Sequence, residues 1–214
     1  ALDVQARTRF NEANDSHYYL VPGVIVTIMT MIGALLTSLV MAREYERGTL
    51  ESLFVTPVGS GEILTAKAAT NFLLGMVSLA ISMVFAAFVF DIPIRGSLLL
   101  LLAVSALFLI VALGLGLVIS TATKNQFLAC QFAIMGTFMP ALMLSGFLYD
   151  ILNMPPAVRA VTYLIPARYY VTLLQTLFLA GDIPSVIIPC CITLGVFAVV
   201  LMSIARLKAP KSLE

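Results

Sequence analysis

Apolar residues dominate five long stretches of the chain, Leu20–Met41, Leu64–Phe90, Leu98–Ser120, Phe127–Leu148 and Ser185–Ala205, with polar segments between them. A helix of about 20 apolar residues crosses hydrocarbon about 30 Å thick, and each stretch reaches that length. The runs are unbroken and do not alternate, unlike the strands of a membrane barrel, where lipid-facing and lumen-facing positions take turns. The pattern predicts an all-α polytopic membrane protein with five transmembrane helices. The first run lacks a basic flank and a small-residue cleavage site, so it is read as a span and not as a leader.

The connecting segments differ in kind. Asp91–Ser97, with Pro93 and Gly96, and Thr121–Gln126, with Lys124, are tight turns. The segment 43–62 is a charged, helix-compatible patch with its own apolar stripe. Leu50, Leu53, Phe54 and Pro57 recur at the spacing of one helix face, and Arg47 and Glu51 form an i,i+4 pair on another. A greasy ridge with a charged rim, held just outside the bilayer, suits a grip by another protein. The long segment 150–184 is neither polar enough for a plain loop nor apolar enough for a span. A short helix over 157–165 is expected to end near Pro166. A second, over 167–180, carries Tyr170, Val171, Leu174, Leu177 and Phe178 on one face and Arg168, Thr172, Gln175 and Thr176 on the other, with Gly181 as its cap. An interfacial or re-entrant pair is favoured over a sixth span.

Composition changes the picture by fixing the solvent. Of 214 residues 61% are hydrophobic and 11% charged, against roughly a quarter charged in soluble domains. So much apolar surface requires lipid. A net charge of +1 says nothing about nucleic acid, no basic tract or aromatic ladder suggests it, and none is expected as a partner. Placing 43–62 in the cytoplasm puts Arg43, Arg47 and all four lysines on that side, in keeping with the positive-inside bias. Six of the seven tyrosines then gather at the outer boundary. The three cysteines lie inside spans and the chain has one histidine, so no metal-ligand set is expected. Apart from Lys67, at the inner end of the second span, the five cores hold no ionisable residue, so a proton or ion relay is not expected. No nucleophile–base grouping and no phosphate-binding Gly-Lys-Ser/Thr loop occurs, and catalysis or nucleotide hydrolysis by this chain is not expected.

Three intramembrane features bear on motion. The rows Ser78/Ser82/Ala86, Ala34/Ser38 and Ala112/Gly116 would let helix backbones approach closely. Pro140, followed by Ser145 and Gly146, is expected to kink the fourth span. Met29, Met31, Met76, Met83, Met135, Met139 and Met143 either line a tolerant cavity or are ordinary lipid-facing or packing residues.

The run Arg43-Glu44-Tyr45-Glu46-Arg47-Gly48-Thr49-Leu50-Glu51, followed by Thr56-Pro57-Val58, resembles the cytoplasmic motif of type-2 ABC transporter permeases of the bacterial inner-membrane drug-export type. Further points of similarity are Asn11-Glu12, Val21-Pro22-Gly23, Leu144-Ser145-Gly146, Asn153-Met154-Pro155, the stretch 164–169 and Leu179-Ala180-Gly181-Asp182. The resemblance implies a six-span fold from which the first span and most of an extracytoplasmic domain are missing, residues 1–17 being that domain's last stretch. It implies a transmembrane domain over 18–206 with a coupling region at 43–62, in which Arg43, Glu44, Arg47, Thr49, Leu50, Glu51, Leu53, Phe54 and Pro57 contact a nucleotide-binding subunit. It further implies gate helices over 150–183, with Pro155, Pro166, Arg168 and Tyr169 in them, and a cytoplasmic tail at 207–214 whose Leu213-Glu214 end reads as a tag scar.

The function so implied is that of a permease subunit of an ATP-driven exporter of drugs or other amphiphiles. It would work as a homo- or heterodimer, with separate ATPase subunits that bind ATP and Mg²⁺, and with a periplasmic adaptor as a further partner. The alternative is a membrane anchor that holds a cytoplasmic partner without moving anything. Lys67 is expected at the headgroup boundary, and Arg168 as either a gate element or an interfacial anchor.

Overall fold

A computed structural model of the chain describes residues 17–48, 60–92, 95–149 and 151–208. Among these there is no strand, and five helices are long and apolar enough to cross a membrane. The first, α1, runs as three continuous stretches, His17–Thr30, Met31–Leu36 and Thr37–Glu46. Next come α2 (Ser60–Phe88), α3 (Leu98–Thr123) and α4, itself built from Gln126–Ala133, Ile134–Phe138 and Met139–Leu144. Two short helices follow, α5 (Pro156–Thr162) and α6 (Pro166–Gln175, continued by Thr176–Ala180), before the last span, α7 (Pro184–Lys208). The middle stretches of α1 and α4 and the end of α6 are π-helical.

The most apolar span, α3, is the hub, packed against α1, α2, α4 and α7. The contact with α1 is made by small residues. Gly116 of α3 lies so close to α1 that a Cβ there would sit 2.6 Å from the Ala34 carbonyl oxygen and 3.1 Å from the Ser38 amide nitrogen. The two small-residue rows predicted on separate helices, Ala34/Ser38 and Ala112/Gly116, are thus the two halves of one seam. Lipid tails are as apolar as leucine, so only close van der Waals packing of this kind favours helix on helix.

Helix α6 is shorter than the five spans. It lies against α1, α3 and α7 and buries Ala167, Tyr170, Val171, Leu173, Leu174, Leu177 and Phe178. The predicted apolar face is the buried one, and Gly181 ends the helix at φ +89°. Pro156 and Pro166 each stand in the first turn of their helix, where an N–H would have no intrahelical acceptor. Large apolar side chains point outward from α2 (Leu73, Val77, Phe85, Phe88), α4 (Phe127, Phe132, Met135) and α7 (Ile192, Val196, Val199). A lipid solvent reverses the usual cost of that exposure.

Candidate functional site

The ends of the spans that are expected to be the inner ones, where Glu46, Lys67 and Lys124 lie, are joined by charged and polar side chains. Lys67 of α2 donates to Glu44 of α1 in an ion pair, both side chains about three-quarters buried (27% and 22% exposed). One turn farther into the bilayer, Asn71 Nδ2 donates to Thr37 Oγ1 at 3.0 Å. These two rungs hold the antiparallel α1–α2 pair together where lipid offers no alternative partner, at about 0.6–1.7 kcal/mol for such a hydrogen bond. On the other flank of α1, the Gln126 backbone N–H donates to Glu46 Oε2 at 2.9 Å, and Arg43 Nε donates to Gln126 Oε1 at 3.3 Å. Asn125 caps α4 by accepting from the Leu128 N–H at 3.1 Å. A carboxylate and an Asx cap therefore share the first turn of α4, where unpaired N–H groups and the positive end of the helix dipole favour them.

The predicted coupling residues separate accordingly. Arg43, Glu44 and Arg47 belong to the described end of α1, and Arg43 and Glu44 face α4 and α2 respectively. Arg47 is exposed. Thr49, Leu50, Glu51, Leu53, Phe54 and Pro57 lie outside the described residues. Lys67 is tied to Glu44, and a largely buried ammonium is far better placed beside a carboxylate than alone. Glu44 turns toward that lysine.

At the outer end, Arg168 donates to Thr162 Oγ1 and lays its guanidinium 3.9 Å from the centre of the Tyr163 ring. These two contacts staple the α5–α6 turn. Tyr169 O–H donates to the Tyr163 carbonyl at 3.0 Å, and its ring lies 6.3 Å from that of Phe197 on α7. Partial burial raises the Tyr169 phenol pKa and the neighbouring Arg168 charge opposes that rise, so the hydroxyl stays a donor. Pro155 provides the extended residue before α5, and Pro166 opens α6. Tyr170 lies on the predicted apolar face of α6. It is fully buried, stacked on Phe108 of α3 (centroids 4.1 Å apart, 14° between planes), and its O–H donates to Ser105 Oγ at 2.7 Å.

Beneath the α5–α6 turn lies a cavity of about 90 Å³, bordered by Thr30 of α1, Phe108 and Ala112 of α3, Gly136, Thr137 and Ala141 of α4, and residues 164–167. The hydroxyls of Thr30 and Thr137 donate to the carbonyls of Val26 (2.8 Å) and Ala133 (2.5 Å), so polar recognition groups are already engaged within their own helices. None of the seven methionines considered for a tolerant cavity borders this one: Met29 and Met83 are core residues, and Met31, Met135, Met139 and Met143 are exposed. Pro140 stands just after the π stretch Ile134–Phe138. Lacking an N–H, it leaves the carbonyl four residues earlier without its helical donor, and local widening is one way a helix absorbs that loss. Among the described residues no cluster of His, Cys, Asp and Glu could hold a metal ion.

Sequence reasoning did not single out Thr37, Asn71, Glu46 as a cap, Ser105 or Gln126. Asn71 and Ser105 were visible only as single polar residues inside apolar runs.

Comparison with known proteins agrees with this architecture. The family described as "ABC-2 type transporter" matches residues 3–179. A relative named "Probable multidrug ABC transporter permease YbhS", from Escherichia coli K12, is 47% identical over 213 residues, covering 100% of this chain and 56% of its own. "Probable multidrug ABC transporter permease YbhR" of the same strain is 30% identical over 180 residues, covering 83% of this chain and 48% of its own. "Inner membrane transport permease YhhJ" is 28% identical over 213 residues, covering 99% and 57%. The chain therefore spans about half the length of the curated relatives it matches. With a family match over most of its length and five helices fit to span a bilayer, the chain belongs to the ABC-2 type transporter family of membrane proteins.

Proposed function

We propose that the protein containing this chain is the membrane permease of an ATP-driven exporter that moves drugs or similar amphiphiles, a reading supported by the names of its relatives. The observation that carries the mechanism is the inner cluster. Arg43, Glu44 and Glu46 sit on the last turn of α1, beside the segment with the Leu50/Leu53/Phe54 ridge, and bind Gln126 of α4 and Lys67 of α2. A displacement of that segment reaches three spans at once through these contacts. No chemical step is required of the permease, whose work is to pass on motion.

In this reading a separate ATPase subunit holds ATP and Mg²⁺ and grips the ridge. A second permease, identical or related, completes the path, a periplasmic adaptor is a further partner, and the bacterial inner membrane is the location. Arg47 and Glu51 orient the grip, and Thr49 and Pro57 are further contacts with the ATPase. The outer helices α5 and α6, with Pro155, Pro166, Arg168 and Tyr169, form the gate that the motion opens. Pro140 and the π stretch before it are where α4 yields.

The test is reconstitution of the full-length permease with its ATPase in liposomes. Leu53→Asp or Phe54→Asp is expected to abolish substrate-stimulated ATP hydrolysis while membrane insertion is retained. Stimulation at the wild-type level in both variants would refute the grip. Substrate movement that needs an ion gradient and not ATP would refute the exporter itself.

A further inference from the structure

The outer end of α6 is held by a joint that the gate reading does not use. Helix α6 finishes in the π stretch Thr176–Ala180, where the Gly181 N–H donates to the Thr176 carbonyl at 2.9 Å. The carbonyls that follow have no helical donor left and would have to be satisfied at the end of a helix that lies partly in the bilayer. The turn between α2 and α3 supplies the donors. Gly96 N–H donates to the Leu177 carbonyl at 2.8 Å, Arg95 N–H to the Phe178 carbonyl at 3.4 Å, and Arg95 Nη1 to the Leu179 carbonyl at 3.2 Å. In return Asp182, just past α6, accepts from the Ser97 N–H at 2.9 Å, where Ser97 is the N-cap residue of α3. A carboxylate at that position also meets the positive end of the α3 dipole.

The two elements approach closely at Gly96. A Cβ on Gly96 would stand 2.9 Å from the Leu177 carbonyl oxygen and 3.0 Å from Asp182 Oδ1. Gly181 takes a φ of +89°, which L side chains rarely adopt, and this brings Asp182 round to α3. Four hydrogen bonds from three consecutive residues, one of them to a carboxylate, join two elements about 80 residues apart in the chain.

We infer that Arg95–Ser97 and Asp182 form a permanent joint that makes α3 and the re-entrant helix move as one body. Gly96 and Asp182 are then positioning residues for the outer gate. The other end of α3 leads through Lys124 and Asn125 into Gln126, which Arg43 and Glu46 hold. Helix α3 is thus fixed at its inner end to the turn that the coupling region grips, and at its outer end to the gate helix. Motion entering at Glu46 reaches Leu177–Asp182 through the short Lys124–Asn125 turn and α3. This inference rests on the exporter reading for its role in transport, and on hydrogen bonds alone for the joint.

Two measurements on the full-length permease, reconstituted with its ATPase, separate these dependencies. Asp182→Ala and Gly96→Val are expected to lower ATP-dependent transport by about fivefold or more while substrate-free ATPase activity stays within about twofold of wild type. Asp182→Asn keeps an acceptor oxygen and is expected to recover transport. In the same samples, amide exchange at 95–97 and 176–181 should quicken about tenfold in Asp182→Ala and return toward wild type in Asp182→Asn, with the inner end of α1 unchanged. Wild-type transport in both Asp182→Ala and Gly96→Val overturns the positioning role. Unchanged exchange in Asp182→Ala overturns the joint. A wild-type protein that moves nothing with ATP overturns the exporter reading, and the exchange result then decides the joint by itself.

Discussion

The buried hydrogen bond from Tyr170 to Ser105 offers a quantitative test of how α6 is seated. Both residues are completely buried and the bond is 2.7 Å long. Tyr170→Phe deletes the hydroxyl and leaves the ring stacked on Phe108. Interhelical hydrogen bonds in membranes average about 0.6 kcal/mol and reach about 1.7 kcal/mol. A short bond with no access to solvent belongs in the upper half of that range, so a loss of about 1 kcal/mol is expected. Ser105→Ala should cost a similar amount, because the phenol then keeps a buried O–H without its acceptor. Removing both partners leaves no orphaned group, so the double variant is expected to cost less than the two singles combined, with a coupling of about 1 kcal/mol.

Tyr170→Ala separates the bond from the ring. It empties a fully buried aromatic site against Phe108, for which about 3–5 kcal/mol is the usual cost of truncation. The assay is unfolding of the full-length permease in mixed micelles with increasing denaturing detergent, read by helical circular dichroism and by tyrosine fluorescence. Amide exchange over residues 166–180 should quicken in Tyr170→Phe, since the bond fixes α6 to α3. A coupling below about 0.3 kcal/mol would show that the two hydroxyls do not depend on one another, and the account of how α6 is held would fail.

Two further perturbations probe the inner half. Exchanging the charges of the Glu44–Lys67 pair tests whether they act on each other: Glu44→Lys alone should lower the thermal midpoint in detergent by about 2–4 °C for a pair worth about 1 kcal/mol, and Glu44→Lys with Lys67→Glu should restore most of it. Failure of the double variant to recover would remove the pair as a tie between α1 and α2. Gly116→Val should destabilise the fold by about 1–3 kcal/mol, because the atoms a Cβ would meet include the Ala34 carbonyl oxygen and the Ser38 amide nitrogen, which cannot rotate away. A thermal midpoint equal to wild type would mean the α1–α3 seam is looser than its geometry.

What could be read from the sequence follows from the range over which each physical constraint acts. A span must present about 20 consecutive apolar residues, and that demand is local, so all five membrane helices were legible. The amphipathic face of 167–180 and the stop at Gly181 were legible for the same reason, since a helix face and its cap are set within a few turns. Ala34/Ser38 and Ala112/Gly116 were visible as rows but not as partners. The rung between Asn71 and Thr37, the hold of Glu46 on Gln126 and the bond between Tyr170 and Ser105 left no periodic trace. Each joins residues 34, 80 or 65 positions apart.

Three side chains have partners that the sequence did not show. Lys67, Arg168 and Tyr170 were read by what each does by itself: snorkel, anchor or sit at the interface. Each instead has a partner on another segment, Glu44, Thr162 with Tyr163, and Ser105 with Phe108. In water such side chains can leave a partner for solvent at little cost. At the depth of these helix ends solvent competes less, and a polar side chain that can reach another will stay there. In this chain, then, single polar residues near or within apolar runs are better treated as halves of pairs than as boundary markers. Helix α3 shows where that leads. Its own sequence is nearly featureless, and its role comes from Ser105 in the middle and from the polar turns at its two ends, each bound to an element far away in the chain.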